Sequence, residues 1–192
     1  MTSIDNLKIL VLIPARMGSS RFPNKPMAEI IDKPMIGHVY ENILAGDYFK
    51  NVAVATCDEV IYKYISSLGG RVIMTSNKHK RASDRCAEAL LKIENKDNLK
   101  YDIVIMVQGD EPLVHHEMLL QSIRPLIENK NVLVTNLLGK IESQKEFNDR
   151  NCIKVVCDLK NNALYFSRQP IPTAVNTEKN IMGKQICIIP FR

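Results

Sequence analysis

The chain has 192 residues, 45% hydrophobic, 24% charged and 6% aromatic with no tryptophan, for a formal net charge of +5. That length suits one domain with a real core, and the apolar fraction excludes a disordered chain. A mild basic excess without clustered aromatics argues against nucleic acid as partner, and the longest apolar runs are strand-length, too short to span a membrane. The opening MTSIDNLK lacks the charged start and apolar centre of a signal peptide, so the expected location is cytoplasmic.

The first element is an apolar, β-branched run over residues 9–13, read as a strand buried on both faces. Pro14 is expected to end it, having no N–H for a sheet ladder. The loop that follows, Ala15 to Lys25, carries Gly18, Ser19 and Ser20 interleaved with Arg16, Arg21 and Lys25. Small residues let backbone N–H groups approach an anion, and three cations suit a triphosphate. The alternative is a solvated basic loop after an edge strand. It is not a Walker A loop, because residue 24 is Asn and residue 26 is Pro.

Helical spacing of Ile36, Val39, Tyr40 and Ile43 predicts a helix over 36–44 with Gly46 as its stop. A strand follows at 51–56, then a helix over 59–68 capped by Asp58 and ended by Gly69 and Gly70. A third strand covers 71–75, and Ser83 is the expected N-cap of a helix over 84–94. Residues 102–107, DIVIMV, form the clearest buried strand, followed by Gln108, Gly109, Asp110, Glu111 and Pro112. A helix over 115–129 is expected to kink near Pro125. Further strands are expected at 132–138, 151–157, 164–167 and 185–190, with a polar loop over 173–183. The strand–helix alternation indicates right-handed crossovers and a parallel sheet: one three-layer α/β/α, Rossmann-like domain over 1–192.

In an open parallel sheet, ligands sit beyond the carboxyl ends of the strands. Two polar loops follow strands in this way, 15–25 and 108–112. Asp110 therefore stands at the rim of the sheet, where a carboxylate could hold Mg²⁺ beside phosphate oxygens. On spacing alone the alternative is that Asp110 and Glu111 are an N-terminal capping pair ahead of the helix at His115. Cys57, Cys86, Cys152, Cys157 and Cys187 are scattered without a CxxC pair, and read as small hydrophobes in a reducing compartment. His38, His115 and His116 read as structural or surface residues; adjacent histidines on a helix diverge by about 100° and do not make a metal pair.

Four blocks, in order, carry a family resemblance. IPARMGSSRFPNKPM resembles the signature loop of nucleotidyltransferases that make activated sugars, and in particular the 3-deoxy-manno-octulosonate (Kdo) cytidylyltransferase, or CMP-Kdo synthetase, family. VQGDEPLV matches that family's metal-binding segment. HKRASDR resembles its His-x-Ser-Gly-Thr-Asp/Glu-Arg segment, with Arg81 and Ala82 in place of Ser-Gly and Ser83 in place of Thr. ALYFSRQPIP resembles its ALYFSRxxIP. The resemblance implies a nucleotide-diphospho-sugar transferase fold and CMP transfer from CTP to a sugar acid. It also implies Mg²⁺ on Asp110, a homodimer, and a role in lipopolysaccharide synthesis.

Residue by residue, the resemblance places Ala15, Arg16, Ser19, Arg21, Lys25, Ser83 and Arg85 along the nucleotide. Arg16, Lys25 and Asp110 would be catalytic, and Gln108, Arg168 and Gln185 would contact the acid. The closing KQICIIPFR departs from the family's (R/K)HLGIYxYR: Gln185 replaces His, Cys187 replaces Gly, and Ile189 and Phe191 replace Tyr in a wall expected to touch the sugar. These changes leave another acid open, such as 8-amino-Kdo or a neuraminate-like acid. The family's second metal-binding Asp, in a Gly-Val-Asp-Thr-Pro segment further on, has no counterpart in these residues, which leaves a non-catalytic nucleotide-binding fragment as a further alternative.

Overall fold

The computed structural model describes residues 4–18, 22–172 and 183–192. In chain order it forms β1 (Ile9–Ala15), β2 (Glu29–Ile30), β3 (Lys33–Pro34), α1 (Met35–Leu44), β4 (Val52–Thr56), α2 (Glu59–Ser67), β5 (Arg71–Met74), α3 (Ala82–Asp97), β6 (Ile103–Val107) and α4 (His116–Glu128). There follow β7 (Leu137–Lys140), α5 (Gln144–Asn148), β8 (Lys154–Cys157), β9 (Ala163–Ser167), β10 (Gly183–Ile186) and β11 (Ile188–Phe191). Internal contacts divide the chain into two units, Met1–Thr135 with Cys187–Arg192, and Asn136–Ile186. The three-layer expectation describes the first; the second forms a small sheet of its own that the single-domain reading of 1–192 did not anticipate.

The sheet of the first unit runs β11-β6-β1-β4-β5. β1 pairs in parallel with β4 on one edge and β6 on the other, and β4 pairs in parallel with β5. β11 is antiparallel to β6 and closes the edge. Side chains alternate across β1. Leu10 and Leu12 pack with Ala53, Ala55 and Met106 against Cys86, Ala89 and Ile93 of α3. Val11 and Ile13 face the other way and are equally buried. On the helical side, α1 meets α2 where Tyr64 lies against Gly37, and the end of α1 meets α4 where the His116 ring lies against Gly46.

Pro14 does not end β1: it lies within the strand opposite Ala55 of β4. Val11 donates its N–H to Asn51 on the β4 side, so odd-numbered residues bond toward β4 and Pro14 faces β6. Pairing with β6 stops at Leu12, so the missing N–H falls where no ladder bond is needed. Two caps also differ from expectation. Asp58 occupies the N-cap position of α2 without a side-chain bond to the helix. The N-cap of α3 is Arg81, not Ser83, and the helix starts at Ala82, so the position where the family has Gly needs no left-handed backbone here. α3 then continues to Asp97, stopped by Asn98 in the left-handed region (φ 50°). Gly69 (φ 72°) ends α2 as expected.

The second unit is antiparallel, in the order β7-β10-β8-β9. The expected strand at 132–138 is two pieces, a single bridge from Val134 to Phe191 in the first unit and β7 in the second. The expected strand at 185–190 likewise divides between β10 and β11, because Cys187 is the point at which the chain changes sheets. α5, missed by periodicity because it is barely one turn, is capped by Ser143, whose side chain accepts from the Glu146 N–H. It buries Phe147 against Ile141 and Cys152. Lys154 is fully buried, and its ammonium donates to the carbonyls of Asp149, Cys152 and Arg168 at 2.7, 2.6 and 3.0 Å. The expected loop over 173–183 lies, up to residue 182, outside the described residues. Among the described residues no helix is long and apolar enough to cross a membrane.

The β2–β3 hairpin turns on Ile31, with Asp32 N–H donating to Ile30 O at 2.8 Å and φ of 61° at Ile31. Every other positive-φ residue among those described is Asn, Asp or Gly; a β-branched, solvent-exposed residue there is strained. Ile31→Gly removes the Cβ clash without opening a core cavity. It is expected to raise the unfolding free energy by about 1 kcal/mol, measured as a later urea midpoint at constant m-value.

Candidate functional site

β1 leads to β4 on one side while β6 lies on the other, so the carboxyl ends of β1 and β6 flank a topological switch point. A cavity of about 300 Å³ opens there. Its walls come from three segments: Pro14 to Gly18 at the end of β1 with Lys25 and Pro26, Gln108 to Asp110 after β6, and His79 to Ala82 running into α3 with Arg85. Gly109 is closely packed at this junction: a Cβ there would sit 3.1 Å from Ile36 Cδ1 and 3.2 Å from the Pro14 carbonyl, so these neighbours would have to give by a few tenths of an ångström.

The charge in this cavity is one-sided. Among the described residues, Arg16, Lys25, Lys80, Arg81 and Arg85 line it against the one carboxylate of Asp110. Lys25 follows Asn24, whose left-handed backbone (φ 60°) turns the chain back toward the sheet. Its Nζ lies 2.6 Å from Asp110 Oδ2, and both side chains are about one-third exposed (32% and 36%). Asp110 does not cap α4: the N-cap is His115, five residues later, so its carboxylate is left at the cavity rim. Among the described residues no three metal-ligating side chains are gathered. A hard divalent cation at Asp110 would draw its remaining ligands from phosphate oxygens and water, which is how Mg²⁺ is commonly held.

Arg85 is the deepest cation, 3% exposed in the first turns of α3. Its Nη1 donates to Thr75 Oγ1, which in turn donates to the Thr56 carbonyl at 3.0 Å. Its Nη2 has no hydrogen-bond partner among the described residues. A buried, unmade charged hydrogen bond is costly, so this N–H is an exception to the usual satisfaction of buried polar groups.

Two carboxylates outside the wall brace its loops. Asp58 Oδ2 accepts from Met17 N–H at 2.9 Å, tying the chain after β1 to the end of β4. This is why Asp58 leaves its helix uncapped: the neighbouring parallel strand brings a donor closer to the point. Glu88 in α3 takes Lys92 Nζ on Oε1 at 2.7 Å, and Ser76 N–H at 2.9 Å and the His79 ring on Oε2. The Lys92 bond above all, then those of Ser76 and His79, hold its carboxyl down at about 2.

Of the residues singled out in the sequence, Ala15, Arg16, Lys25, Arg85, Gln108 and Asp110 share this cavity. Ser83 is exposed on α3 and is not part of the wall. Ser19 and Arg21 lie outside the described residues. Arg168 and Gln185 belong to the second unit, where they line an open concavity of about 320 Å³ with Ile153, Phe166 and Ser167. Arg168 Nη1 donates to Arg150 O at 2.9 Å, and Gln185 Nε2 donates to Asn136 Oδ1 at 2.5 Å. Ile189 and Phe191, expected in a sugar-facing wall, instead pack on the hydrophobic cluster under α3. Lys80 and Arg81 line the cavity although the sequence did not single them out as binding residues within HKRASDR; four consecutive basic-type residues, Lys78 to Arg81, directly before a helix were the available signal. Asp58 and Glu88 gave none, since their partners are set by tertiary contact. Cys57, Cys86, Cys152 and Cys157 are free thiols; Cys86 is buried, which pushes its thiol up to about 12.

A family model described as Cytidylyltransferase matches residues 10–192. The chain is similar to the 3-deoxy-manno-octulosonate cytidylyltransferases of Geobacter metallireducens (40% identical, 94% of this chain and 71% of the relative), Syntrophus aciditrophicus (42%; 86% and 65%) and Thermodesulfovibrio yellowstonii (45%; 91% and 68%). It thus spans roughly two-thirds of the length of these relatives. Among solved structures it is similar to CMP:2-keto-3-deoxy-manno-octonic acid synthetase complexed with CTP, with a TM-score of 0.84 and 37% identity over 96% of this chain and 74% of the other. A 4-diphosphocytidyl-2C-methyl-D-erythritol synthase from Anaerococcus prevotii shares the fold, with a TM-score of 0.55 at 12% identity over 96% of this chain and 71% of the other.

The Lys25–Asp110 pair is part-exposed and screened, so Lys25→Ala is expected to cost under about 1 kcal/mol of stability. Removing one of the converging cations should nonetheless weaken binding of inorganic triphosphate about tenfold, the equivalent of one charge-assisted bond. Thermal unfolding and calorimetric titration of the same variant check both halves.

Proposed function

The chain belongs to the cytidylyltransferase family, and from that premise we propose that it transfers CMP from CTP to a 3-deoxy-2-keto sugar acid, Kdo in the first instance, releasing pyrophosphate. The observation that carries this reading is the cavity at the β1/β6 switch point, lined among the described residues by five cations and one carboxylate. A triphosphate supplies the negative charge that such a cavity needs.

In this reaction the anomeric hydroxyl of the acid attacks the α-phosphorus of CTP in line. The new bond is P–O to the sugar, the bond to the β-phosphate oxygen breaks, and the hydroxyl proton passes to water. The protein's share is positioning and charge neutralisation. Arg16 and Lys25 would hold the polyphosphate, and Arg85 would donate to the nucleotide from the cavity floor. Asp110 would hold Mg²⁺, which when bound supplies further neutralisation of the phosphates. Gln108, beside Asp110, would face the acid. Arg168, a planar paired donor, would bind the acid's carboxylate, with Gln185 nearby in the same concavity. The family likeness supports a homodimer working in the cytoplasm and feeding lipopolysaccharide synthesis.

Pyrophosphate release with CTP, Mg²⁺ and a panel of Kdo, 8-amino-Kdo and neuraminate-type acids tests the reading. Kdo is expected to give the highest kcat/KM. A preference of about tenfold for another acid, worth about 1.4 kcal/mol, would overturn Kdo and leave cytidylyl transfer standing; no release with any acid would overturn both.

Two substitutions sharpen the roles. Asp110→Asn keeps shape but loses charge, so turnover should lose its dependence on added Mg²⁺ together with nearly all its rate, while circular dichroism stays unchanged. Arg168→Lys should raise KM for the acid about tenfold with little change in KM for CTP, because one point charge replaces a two-pronged donor.

A further inference from the structure

The loop after β5 is fixed by a carboxylate that does not itself line the cavity. Ser76 and His79 bracket the turn that brings His79, Lys80 and Arg81 into the wall. Glu88 Oε2 binds both brackets, the Ser76 N–H at 2.9 Å and the His79 ring, while Lys92 occupies Oε1. The main-chain carbonyl of His79 then accepts from Arg16 Nη1 at 3.3 Å, across to the segment after β1. One acidic side chain on α3 is therefore linked through His79 to a cation of the nucleotide cavity.

We propose that Glu88 is a positioning residue of the nucleotide site: it fixes the 76–81 loop so that the His79 carbonyl seats Arg16 while Lys80 and Arg81 face the polyphosphate. The proposal takes its ligand from the cytidylyl-transfer reading, but the bracing of the loop stands apart from it. Glu88 is suited to the task because its carboxyl, held down at about 2 chiefly by Lys92, stays ionised at any working pH. It can therefore accept from three donors at once.

The sign of the effect separates this role from simple electrostatics. Removing a negative charge near an anion site should tighten anion binding on Coulomb grounds alone. Removing a brace should weaken it. Glu88→Ala removes charge and brace together; Glu88→Gln removes the charge but keeps one oxygen to accept from Ser76 and His79.

The experiment measures calorimetric CTP affinity with Mg²⁺, melting temperature, and amide hydrogen exchange over 76–81 in the whole chain and both variants. Glu88→Ala is expected to bind CTP about tenfold more weakly, to exchange faster over 76–81, and to melt within about 4 °C of the parent. Glu88→Gln is expected to return to within about threefold of the parent. An Ala variant that binds CTP as tightly as the parent or more tightly, a Gln variant as weak as the Ala variant, or unchanged exchange over 76–81 would each overturn the proposal. A parent chain that fails to bind CTP would count against the cytidylyl reading, and the exchange comparison would still decide the role of Glu88.

Discussion

Parallel pairing of β1 between β4 and β6 is the constraint on which the site depends. Because all three strands run the same way, their carboxyl ends leave the sheet at one edge, and the segments that follow them converge. Antiparallel pairing would have sent alternate loops to opposite edges. The pairing is secured by burial: Leu10, Val11, Leu12 and Ile13 are fully buried, each worth about 1.5–3 kcal/mol against exposure. On that base, contacts between residues distant in sequence become short-range. Met17 meets Asp58 and Lys25 meets Asp110, pairs 41 and 85 residues apart in the chain.

Convergence of several cations on one cavity is an electrostatic liability in the absence of a ligand. The fold moderates it locally. Asp110 takes Lys25, the His79 carbonyl takes Arg16, and Thr75 takes one arm of Arg85. What is left over, the second arm of Arg85, sits where water does not reach it. Three of the five cations that line the cavity are thus held in place by neutral or acidic partners.

The second unit solves a different problem, how to bury a charge with no counter-ion among the described residues. Lys154 has three ammonium protons and three carbonyls to receive them, so among the described residues its positive charge is met by backbone dipoles. One of those carbonyls belongs to Arg168, and the guanidinium of Arg168 rests on Arg150, within the segment that supplies the other two. Asn136 plays a comparable part for Gln185, accepting from its amide while donating to the Ile186 and Leu137 carbonyls.

Periodicity alone determined most of the first unit, because an element that buries one face announces its period: Ile36, Val39, Tyr40 and Ile43 of α1 and the apolar run of β6 lie where spacing puts them. The loops after β1 and β6 were also legible, since small and charged residues directly after a buried strand have few other uses. Tertiary structure decided the rest. Ser83 reads as a cap in isolation, yet the backbone enters α3 two residues earlier. Asp58 reads as a cap, yet a neighbouring strand offers its carboxylate the Met17 N–H. Residues 185–190 read as one strand, yet the chain passes between two sheets at Cys187. Glu88 reads as one more solvated helix acid, and its grip on Ser76 and His79 exists only once β5 and α3 are packed. The physical reason is range: burial patterns are written in neighbouring residues, whereas a hydrogen bond goes to whichever partner the completed fold brings within about 3 Å.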